Sequence, residues 1–222
     1  MIHQAGLVGR SHILLHHVDE GIGDITIERQ YASGGLEIGK NLSQKLNIPF
    51  YSREIVEMAA ERCDIPKEYL ESTQENVSQS FLYRLSLAAK AGSIDVDKTA
   101  SKADILYNEV HKVVTELAQR ESCIIIGQCA DYILRKHQPC FRVFVHALME
   151  DRVKRAIGNY GISEQYADYI IRKNDKRREA FYNANTTRTW GVKENYHICL
   201  NSSLFTVDNC ADIIIDSMKY LK

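Results

Sequence analysis

The stretch Ser33–Asn41 (SGGLEIGKN) decides the fold prediction for this chain of 222 residues. It follows Asp24–Ile27 (DITI), a short run rich in β-branched residues that is typical of a β-strand. After the glycines, apolar residues recur at the spacing of one helix face, which predicts a helix that begins near Gly35. The sequence therefore predicts a strand, a glycine turn and an amphipathic helix in succession.

Gly34 to Lys40 match the pattern G-x-x-x-x-G-K of loops that bind nucleotide phosphates. Glycines suit such a loop because backbone N–H groups must approach phosphate oxygens without a side chain in between. The helix that follows directs its N-terminal N–H groups and the positive end of its dipole at the same anion. The residues predicted to bind the phosphates are Ser33, Gly34, Gly35, Gly39 and Lys40, with the lysine at the outermost phosphates. The alternative is a glycine turn that begins a helix, with Lys40 only solvated.

Two residues are candidate ligands of the Mg²⁺ that accompanies a nucleotide. Asn41 stands at the last position of the motif, where serine or threonine usually binds the metal, and we count it among the nucleotide-binding residues as well. Its amide oxygen suits Mg²⁺ less well than the usual hydroxyl group. Glu28, at the end of the first strand, is predicted to contact the metal through water.

Composition and charge narrow the classes of function. Lys and Arg total 28 and Asp and Glu total 29, so a net charge of −1 offers no basic excess for nucleic acid or a membrane surface. The apolar patch His12–Leu15 is too short and too polar for a signal peptide or a membrane span. None of the six cysteines has zinc-site spacing, and Cys123 and Cys199 lie in apolar runs where thiols pack as small hydrophobes. We therefore expect a cytoplasmic protein with reduced thiols and small-molecule partners, without nucleic acid or membrane.

Predicted strands and helices alternate along the rest of the chain. The further strands predicted are Ile48–Tyr51, Cys123–Gly127, Phe141–His146 and His197–Leu200. One long helix between them is predicted from an apolar stripe made of Ile105, Leu106, Val110, Val113, Val114 and Leu117. Such alternation predicts an α/β fold with a central parallel five-stranded sheet and helices on both faces. Ligands of such sheets bind at the carboxyl ends of the strands, where we expect the site.

Several motifs, taken in order, resemble the cytidylate kinase-like family. They are Ile25–Lys40, Asn47–Tyr51, Ile126–Leu134 (IGQCADYIL), Glu150–Arg155 (EDRVKR), Gly161–Glu164, Trp190–Gly191 and Asn195–Ser203. The resemblance covers about residues 24–222. It implies a P-loop nucleoside monophosphate kinase with a three-layer fold, in which a helical lobe binds the acceptor and a mobile lid closes over the site. It also implies ATP and Mg²⁺ as cofactors and CMP or dCMP as the acceptor.

The implied domain spans 23–222 and follows an extension at 1–22. Its acceptor-binding insert is expected at about 53–98 and its lid at about 172–192.

The lid is predicted to supply catalytic cations. Arg172, Arg177 and Arg188 are the candidates, because phosphoryl transfer needs positive charge around the equatorial oxygens of the moving group. The alternative is a solvated, charged helix face. Arg152 and Arg155, which follow a strand end, are predicted to touch a phosphate as well.

The residues predicted to line the acceptor site are Tyr51, Arg53, Gln128 and Asp131. Gln128 stands where the family usually has an arginine that is expected to grip the monophosphate, and glutamine offers hydrogen bonds without charge. Ser52 stands where the family often has aspartate, and Asp131 either orients a ligand or caps its own helix. These departures leave two alternatives to a CMP-like acceptor: a nucleotide-binding sensor or partner-binding protein with little catalysis, and a P-loop kinase for a different small acceptor.

Overall fold

The structure is a computed structural model that describes residues 23–63 and 96–221, with side chains omitted for 96–104. The predicted extension at 1–22 lies outside the described residues, as do residues 64–95 of the predicted acceptor-binding insert.

Five strands form one parallel sheet, which confirms the predicted fold class. They are β1 (Asp24–Arg29), β2 (Phe50–Tyr51), β3 (Ile124–Ile126), β4 (Cys140–His146) and β5 (Ile198–Asn201), in the spatial order β2-β3-β1-β4-β5. Because β1 pairs with β3 on one side and β4 on the other, the loop that leaves β1 stands at the middle of the carboxyl edge. Ligand groups held there can reach both halves of the sheet.

The described helices pack on both faces of the sheet. They are α1 (Gly35–Leu46), α2 (Glu54–Arg62), α3 (Val96–Arg120), α4 (Ala130–Ile133), α5 (Met149–Tyr160), α6 (Glu164–Asn185) and α7 (Val207–Met218), with a 3₁₀ turn at Lys193–Asn195. α1 begins at Gly35, as predicted. Thr206 caps α7 by accepting a hydrogen bond from Asn209 N at 3.1 Å. The predicted lid, 172–192, covers the second half of α6 and the segment that follows it.

The side chains of β1 alternate between the two faces of the sheet, and the two faces bury different kinds of residue. Ile25 and Ile27 are fully buried against α1 and α7. Each such side chain contributes roughly 1.5–3 kcal/mol relative to an exposed one. Since successive strand residues point to opposite faces, Glu28 lies on the other face, among the core residues that α3, α4 and α6 contribute. A carboxylate is thus placed inside the protein, beside the end of the central strand.

Two predicted core positions are wrong. Ile105 is 48% exposed, because it lies about 100° around α3 from Leu106, outside the arc that faces the sheet. Cys199 is exposed because β5 is an edge strand and its residues alternate between a covered face, which takes Leu200, and an open one. All six cysteines are free thiols. None of the helices described combines the length and apolar character needed to cross a membrane.

Candidate active site

Three N–H groups of the loop between β1 and α1, residues 30–34, already donate hydrogen bonds, Gln30 N to Val145 O, Tyr31 N to Asp175 Oδ1 and Ser33 N to Gln30 O, so Ala32 and Gly34 supply the loop's donors for a ligand. Ala32 and Gly34 have φ values of 57° and 83°, in the left-handed region, and Ser33 between them does not. Alternation of this kind turns successive N–H groups toward one side and makes an anion-binding concavity. Gly34 precedes α1, and no side chain of the described residues caps that helix, so its first N–H groups are open to a ligand. The loop therefore offers hydrogen-bond donors to an anion.

The carbonyl oxygens around this loop are held from behind by four side chains, which we call the carbonyl collar. Its hydrogen bonds run from Arg178 Nη1 to Arg29 O (2.9 Å), Arg152 Nε to Tyr31 O (2.7 Å), Arg155 Nη1 to Ala32 O (2.8 Å) and Ser202 Oγ to Ser33 O (2.5 Å). These four carbonyl oxygens accept hydrogen bonds from the collar, so they point toward the collar side chains and not toward a bound phosphate. The collar fixes the donor-only character of the concavity.

Asp175 ties helix α6 to the same loop. Its Oδ1 accepts a hydrogen bond from Tyr31 N at 2.7 Å, and its Oδ2 pairs with Arg152 Nη2. Arg152 is only 3% exposed and uses its guanidinium on Tyr31 and Asp175. This placement does not support the predicted contact of Arg152 with a phosphate. Arg152 holds the loop instead.

The G-x-x-x-x-G-K match lies in the wrong register for a phosphate loop. In such proteins the whole motif stands between the strand and the helix, whereas Gly39 and Lys40 are the fifth and sixth residues of α1. A Cβ atom on Gly39 would lie 2.6 Å from Ile126 Cδ1 and 2.8 Å from Phe50 Cε2, so this glycine lets α1 pack closely on the sheet. Its predicted role in phosphate binding is wrong. Lys40 is exposed about 7.5 Å along the axis from Gly35, and its contact with the outer phosphates stays a prediction without structural support.

Asn41 does not fit a magnesium site. It is the seventh residue of α1, about 9 Å along the axis from Gly35, and its Nδ2 approaches Asp208 Oδ1 of α7 at 3.4 Å. Its side chain therefore lies between two helices away from the loop, which does not support its predicted metal and nucleotide roles; these stay predictions. Among the residues described, no three His, Cys, Asp or Glu side chains cluster closely enough to hold a metal ion.

Since Lys40 lies away from the loop, the positive charge beside the loop comes from Arg155, and Gly35 at the first helical position contributes no side chain. A Cβ atom on Gly35 would lie 2.8 Å from Arg29 Cβ, so the first helical position has no room for a long side chain. The nearby cation is Arg155 of α5, whose Cζ lies 3.2 Å from the point where a Gly34 Cβ would stand. Arg155 was predicted together with Arg152 to touch a phosphate, and it lies three residues after Arg152 and so on the same helix face.

A cleft of about 450 Å³ adjoins the loop on the β4–β5 side. It is lined by Asp151, Lys154, Arg155, Asn159, Ser202 and Ser203. Leu148 N donates to Ser203 Oγ at 2.8 Å, which joins the two loops that carry the exposed apolar residues Leu148, Leu204 and Phe205. The lining of the cleft is polar and charged throughout. The only sequence signal for this cleft was its position after two predicted strand ends.

Two buried carboxylates stand on the opposite, β3 side of β1. Glu28 is 2% exposed, and its Oε2 accepts a hydrogen bond from Trp190 Nε1 at 3.2 Å. Asp131 is fully buried, and its Oδ2 accepts one from Tyr182 OH at 2.6 Å. The second oxygen of each carboxylate is buried, and the backbone N–H groups of Cys129 and Tyr132 approach Glu28 and Asp131, respectively. We call Glu28 and Asp131 the carboxylate pair.

Burial favours the neutral, protonated form of both carboxylates of the pair. It raises the pKa of Asp131, and the nearby charge of Glu28 raises it further, to about 7, although the Tyr182 hydrogen bond works in the opposite direction. Burial also raises the pKa of Glu28, against the attraction of Arg29 and the Trp190 hydrogen bond. Cys129, not Asp131, precedes α4, so the predicted capping alternative for Asp131 is wrong. The water-mediated metal contact of Glu28 stays a prediction.

The other predicted acceptor residues divide into two groups. Gln128 is buried in the turn after β3, two residues before α4, with a φ of 59°. Tyr51 and Arg53 lie after or at the end of β2, where Tyr51 OH donates to Glu121 Oε1 at 3.2 Å and Arg53 Nε pairs with Glu57 at 2.6 Å. Only Gln128 thus lies in the turn that leads into α4, the helix of Asp131. The acceptor roles of all three residues stay predictions.

The predicted lid arginines are not brought together. Arg172 is exposed and pairs with Asp168 of the same helix at 2.7 Å, which favours the alternative of a solvated helix face. Arg188 lies with its Cζ 5.8 Å from the Tyr132 ring centre, and its charge lowers the pKa of Asp131. Arg177 is half-buried, and its catalytic role stays a prediction.

A parallel sheet with an anion-binding loop at the end of its central strand is the architecture of P-loop kinases. A crystal structure of an uncharacterized protein from Eubacterium ventriosum is similar, with 23% identity and a TM-score of 0.64 over 90% of this chain and 99% of that one. Shikimate kinase from Acinetobacter baumannii in complex with shikimate is also similar, with 12% identity and a TM-score of 0.51 over 91% of this chain and 96% of that one. These likenesses show the fold.

The sequence profile of the cytidylate kinase-like family matches residues 24–204. The chain therefore belongs to the cytidylate kinase-like family, as its motifs indicated. No curated protein matches the chain.

Proposed function

We propose that this protein transfers the γ-phosphoryl group of ATP to a small molecule. The observation that carries the proposal is the donor-only loop at 30–34, which has Arg155 beside it and a cleft of nucleotide size next to it. Membership of a kinase-like family supports the same reaction class. The six free thiols support the proposed cytoplasmic location.

Each part of the site has a task in this reaction. The N–H groups of the loop and of the first turn of α1 hold the terminal phosphates, and Arg155 opposes their charge. The cleft between α5 and the end of β5 holds the ribose and base. Catalysis of phosphoryl transfer rests almost entirely on such positioning and charge stabilisation. Mg²⁺, when bound with ATP, neutralises further phosphate charge.

The family resemblance supports a CMP-like nucleoside monophosphate as the first candidate acceptor. A phosphate oxygen is already nucleophilic, so this acceptor needs no general base. A nucleotide-binding protein with little catalysis is the alternative, because Gln128 brings no charge to the acceptor side.

The test measures ADP release from ATP and Mg²⁺ with CMP, dCMP, UMP, AMP, shikimate and glycerol as separate acceptors. Arg155→Ala is expected to lower turnover at least tenfold, because one cation at the loop is lost. Arg62→Ala is the matched control, because that exposed arginine pairs with Glu116 on the α2–α3 surface, away from the loop. An Arg155→Ala protein with full activity would overturn the proposed site. ATP binding by calorimetry without turnover on any acceptor would favour the binding-protein alternative.

A further inference from the structure

Each peptide group of the loop is held by hydrogen bonds, but not each in the same way. A peptide group joins the C=O of one residue to the N–H of the next, and in the trans form the two point in opposite directions. The groups held at both ends are Arg29–Gln30, Gln30–Tyr31 and Ala32–Ser33. Among the residues described, Tyr31–Ala32 and Ser33–Gly34 are held at the carbonyl end alone. The N–H groups left for a ligand are therefore those of Ala32 and Gly34.

Arg152 directs the N–H group of Ala32. Its Nε donates to Tyr31 O at 2.7 Å, so the N–H at the other end of that peptide group points away from Arg152. Ala32 has a φ of 57°, a region that is unfavourable for alanine because its Cβ crowds the backbone. Rotation of the peptide group by half a turn would relieve this crowding and withdraw the N–H from a ligand. The hydrogen bond from the buried Arg152 opposes that rotation.

Ser202 directs the N–H group of Gly34 in the same manner. Its Oγ donates to Ser33 O at 2.5 Å, and its backbone N donates to His146 O at 2.9 Å, which fixes Ser202 to the end of β4. Glycine adopts positive and negative φ about equally well, so Gly34 itself gives the peptide group little preference for one orientation. The Ser202 hydroxyl therefore sets the direction of Gly34 N–H.

Asp175 makes the position of Arg152 depend on α6. Its Oδ2 pairs with Arg152 Nη2, and its Oδ1 accepts from Tyr31 N at 2.7 Å. The side chains of Arg152 and Asp175 are 4% and 19% exposed, so the pair is largely shielded from water. Because the two charges offset each other, the pair affects a phosphate mainly through the direction of Ala32 N–H.

We propose that Ser202 and the Arg152–Asp175 pair are positioning residues for the nucleotide phosphates, because they orient the two N–H groups of the loop that bind them. This inference rests on the proposed phosphate site and names the residues that regulate its affinity. Through Asp175, the position of α6 sets the direction of one of the two donors. Since such linkage is reciprocal, phosphate bound at the loop favours the position of α6 in which Asp175 holds Arg152.

Two substitutions in the full-length protein separate the two donors. Ser202→Ala removes a hydroxyl group and no charge. Asp175→Asn keeps an acceptor for Tyr31 N but removes a negative charge, and this change alone would strengthen the binding of an anion. Calorimetry measures the affinity for inorganic tripolyphosphate and for ATP, well below the melting temperature of each variant. Each substitution should weaken both ligands by a similar factor, about tenfold, because one hydrogen bond to a charged oxygen loses its alignment.

Amide proton shifts in NMR spectra identify the donor that each substitution affects. ATP should move the amide protons of Ala32 and Gly34 downfield in the wild type, because both donate to phosphate oxygens. In Ser202→Ala the response of Gly34 should shrink while Ala32 keeps its own, and in Asp175→Asn the pattern should be reversed. A general loss of packing would lower both responses together. If one variant fails to fold, the other still tests its own donor.

Ser217→Ala and Asp216→Asn are the matched controls. Ser217 Oγ donates to Ile213 O at 2.6 Å within α7, which is the same kind of bond as that of Ser202 but lies away from the loop. Asp216 pairs with Lys219 on the surface of α7. Both controls should bind tripolyphosphate and ATP as tightly as the wild type does.

Three results would overturn the inference and leave the proposed function intact. The first is a wild type that binds ATP but not tripolyphosphate, or a Ser202→Ala protein that loses affinity for ATP alone, because the cleft and not the loop would then supply the affinity. The second is an Asp175→Asn protein that binds tripolyphosphate as tightly as the wild type or more tightly. The third is ATP binding that moves neither amide proton. A wild-type protein that binds neither ligand would remove the proposed function as well.

Discussion

Replacing Gly35 by alanine tests whether the loop at 30–34 binds the phosphates. The new Cβ would lie 2.8 Å from Arg29 Cβ and 3.0 Å from Arg29 Cγ. Carbon atoms in contact prefer about 3.5–4.0 Å, so the start of α1 must move away from β1 by about 1 Å. Arg29 is buried, and its Cβ is fixed to the strand, so it cannot give way. The N–H groups of the loop are expected to lose their alignment.

The size of the effect follows from this displacement. A misplacement of about 1 Å costs roughly 10²-fold in a positioned reaction, so turnover of Gly35→Ala should fall by about that factor. Overpacking costs about 1–3 kcal/mol of unfolding free energy, and the better helix propensity of alanine returns about 1 kcal/mol of it. Calorimetry should therefore show a much weaker ATP affinity, whereas thermal unfolding should shift by only a few degrees.

Gly158→Ala is the matched control for this experiment. Gly158 lies inside α5, and a Cβ atom there meets nothing within 4 Å. The substitution should raise the unfolding free energy by about 0.5–1 kcal/mol and leave ATP affinity unchanged. If Gly35→Ala bound ATP as tightly as Gly158→Ala, the assignment of the phosphates to this loop would be refuted.

Three further predictions follow from the same geometry. Gly39→Ala should lower the melting temperature, because its Cβ would lie 2.6 Å from Ile126 Cδ1, yet the folded variant should bind ATP normally; weaker ATP binding in calorimetry at an unchanged melting temperature would return Gly39 to the phosphate site. ADP release by Lys40→Ala should be at least tenfold faster than ADP release by Arg155→Ala, because Lys40 is exposed in the second turn of α1. Equal rates in the two variants would contradict the placement of Lys40 away from the loop. The raised pKa of Asp131, about 7 in the folded state, favours the folded protein while the carboxyl is protonated, so stability should fall as the pH rises from about 4 through about 7; thermal unfolding should show a flatter pH dependence in Asp131→Asn, and an unchanged slope would count against the raised pKa.

The fold could be predicted because its signals are local. An uninterrupted apolar run such as Cys123–Ile126 identifies a buried strand, and the alternation of such runs with amphipathic helices leaves few topologies other than a parallel sheet. The start of α1 at Gly35 was equally visible. Each of these signals lies within a few residues of the feature that it predicts.

The predicted phosphate motif begins in the connection between β1 and α1 and runs on into the helix, so its second half lies outside the loop. Gly34 and Gly39 are both glycines, but Gly34 is needed for its left-handed backbone and Gly39 for the close approach of α1 to the sheet. A spacing pattern does not distinguish these two physical reasons, so the motif match included Gly39 and the adjacent Lys40. The structure separates them because only Gly34 precedes the helix.

The rest of the site could not be predicted because it is assembled from distant segments. Ser202 and Arg178 reach the loop from two different elements, and Asp131 reaches Glu28 across the β1–β3 pairing. No sequence window contains both partners of any of these contacts. Arg152 and Arg155 were both predicted to touch a phosphate because they follow a strand end, but the sequence could not show that Asp175 engages Arg152.

Because the carbonyl collar joins distant parts of the chain, we expect nucleotide binding to require that nearly the whole chain has folded. Its four hydrogen bonds join residues separated by 121, 123, 149 and 169 positions along the sequence. During synthesis, the loop therefore leaves the ribosome long before the residues that shape it. A chain that stops before Ser202 can form β1 and α1 but cannot complete the loop, so we expect it to bind ATP weakly. For the same reason, we expect ATP, if it binds at this loop as proposed, to raise the unfolding free energy of the protein by an amount that grows with the logarithm of the ATP concentration.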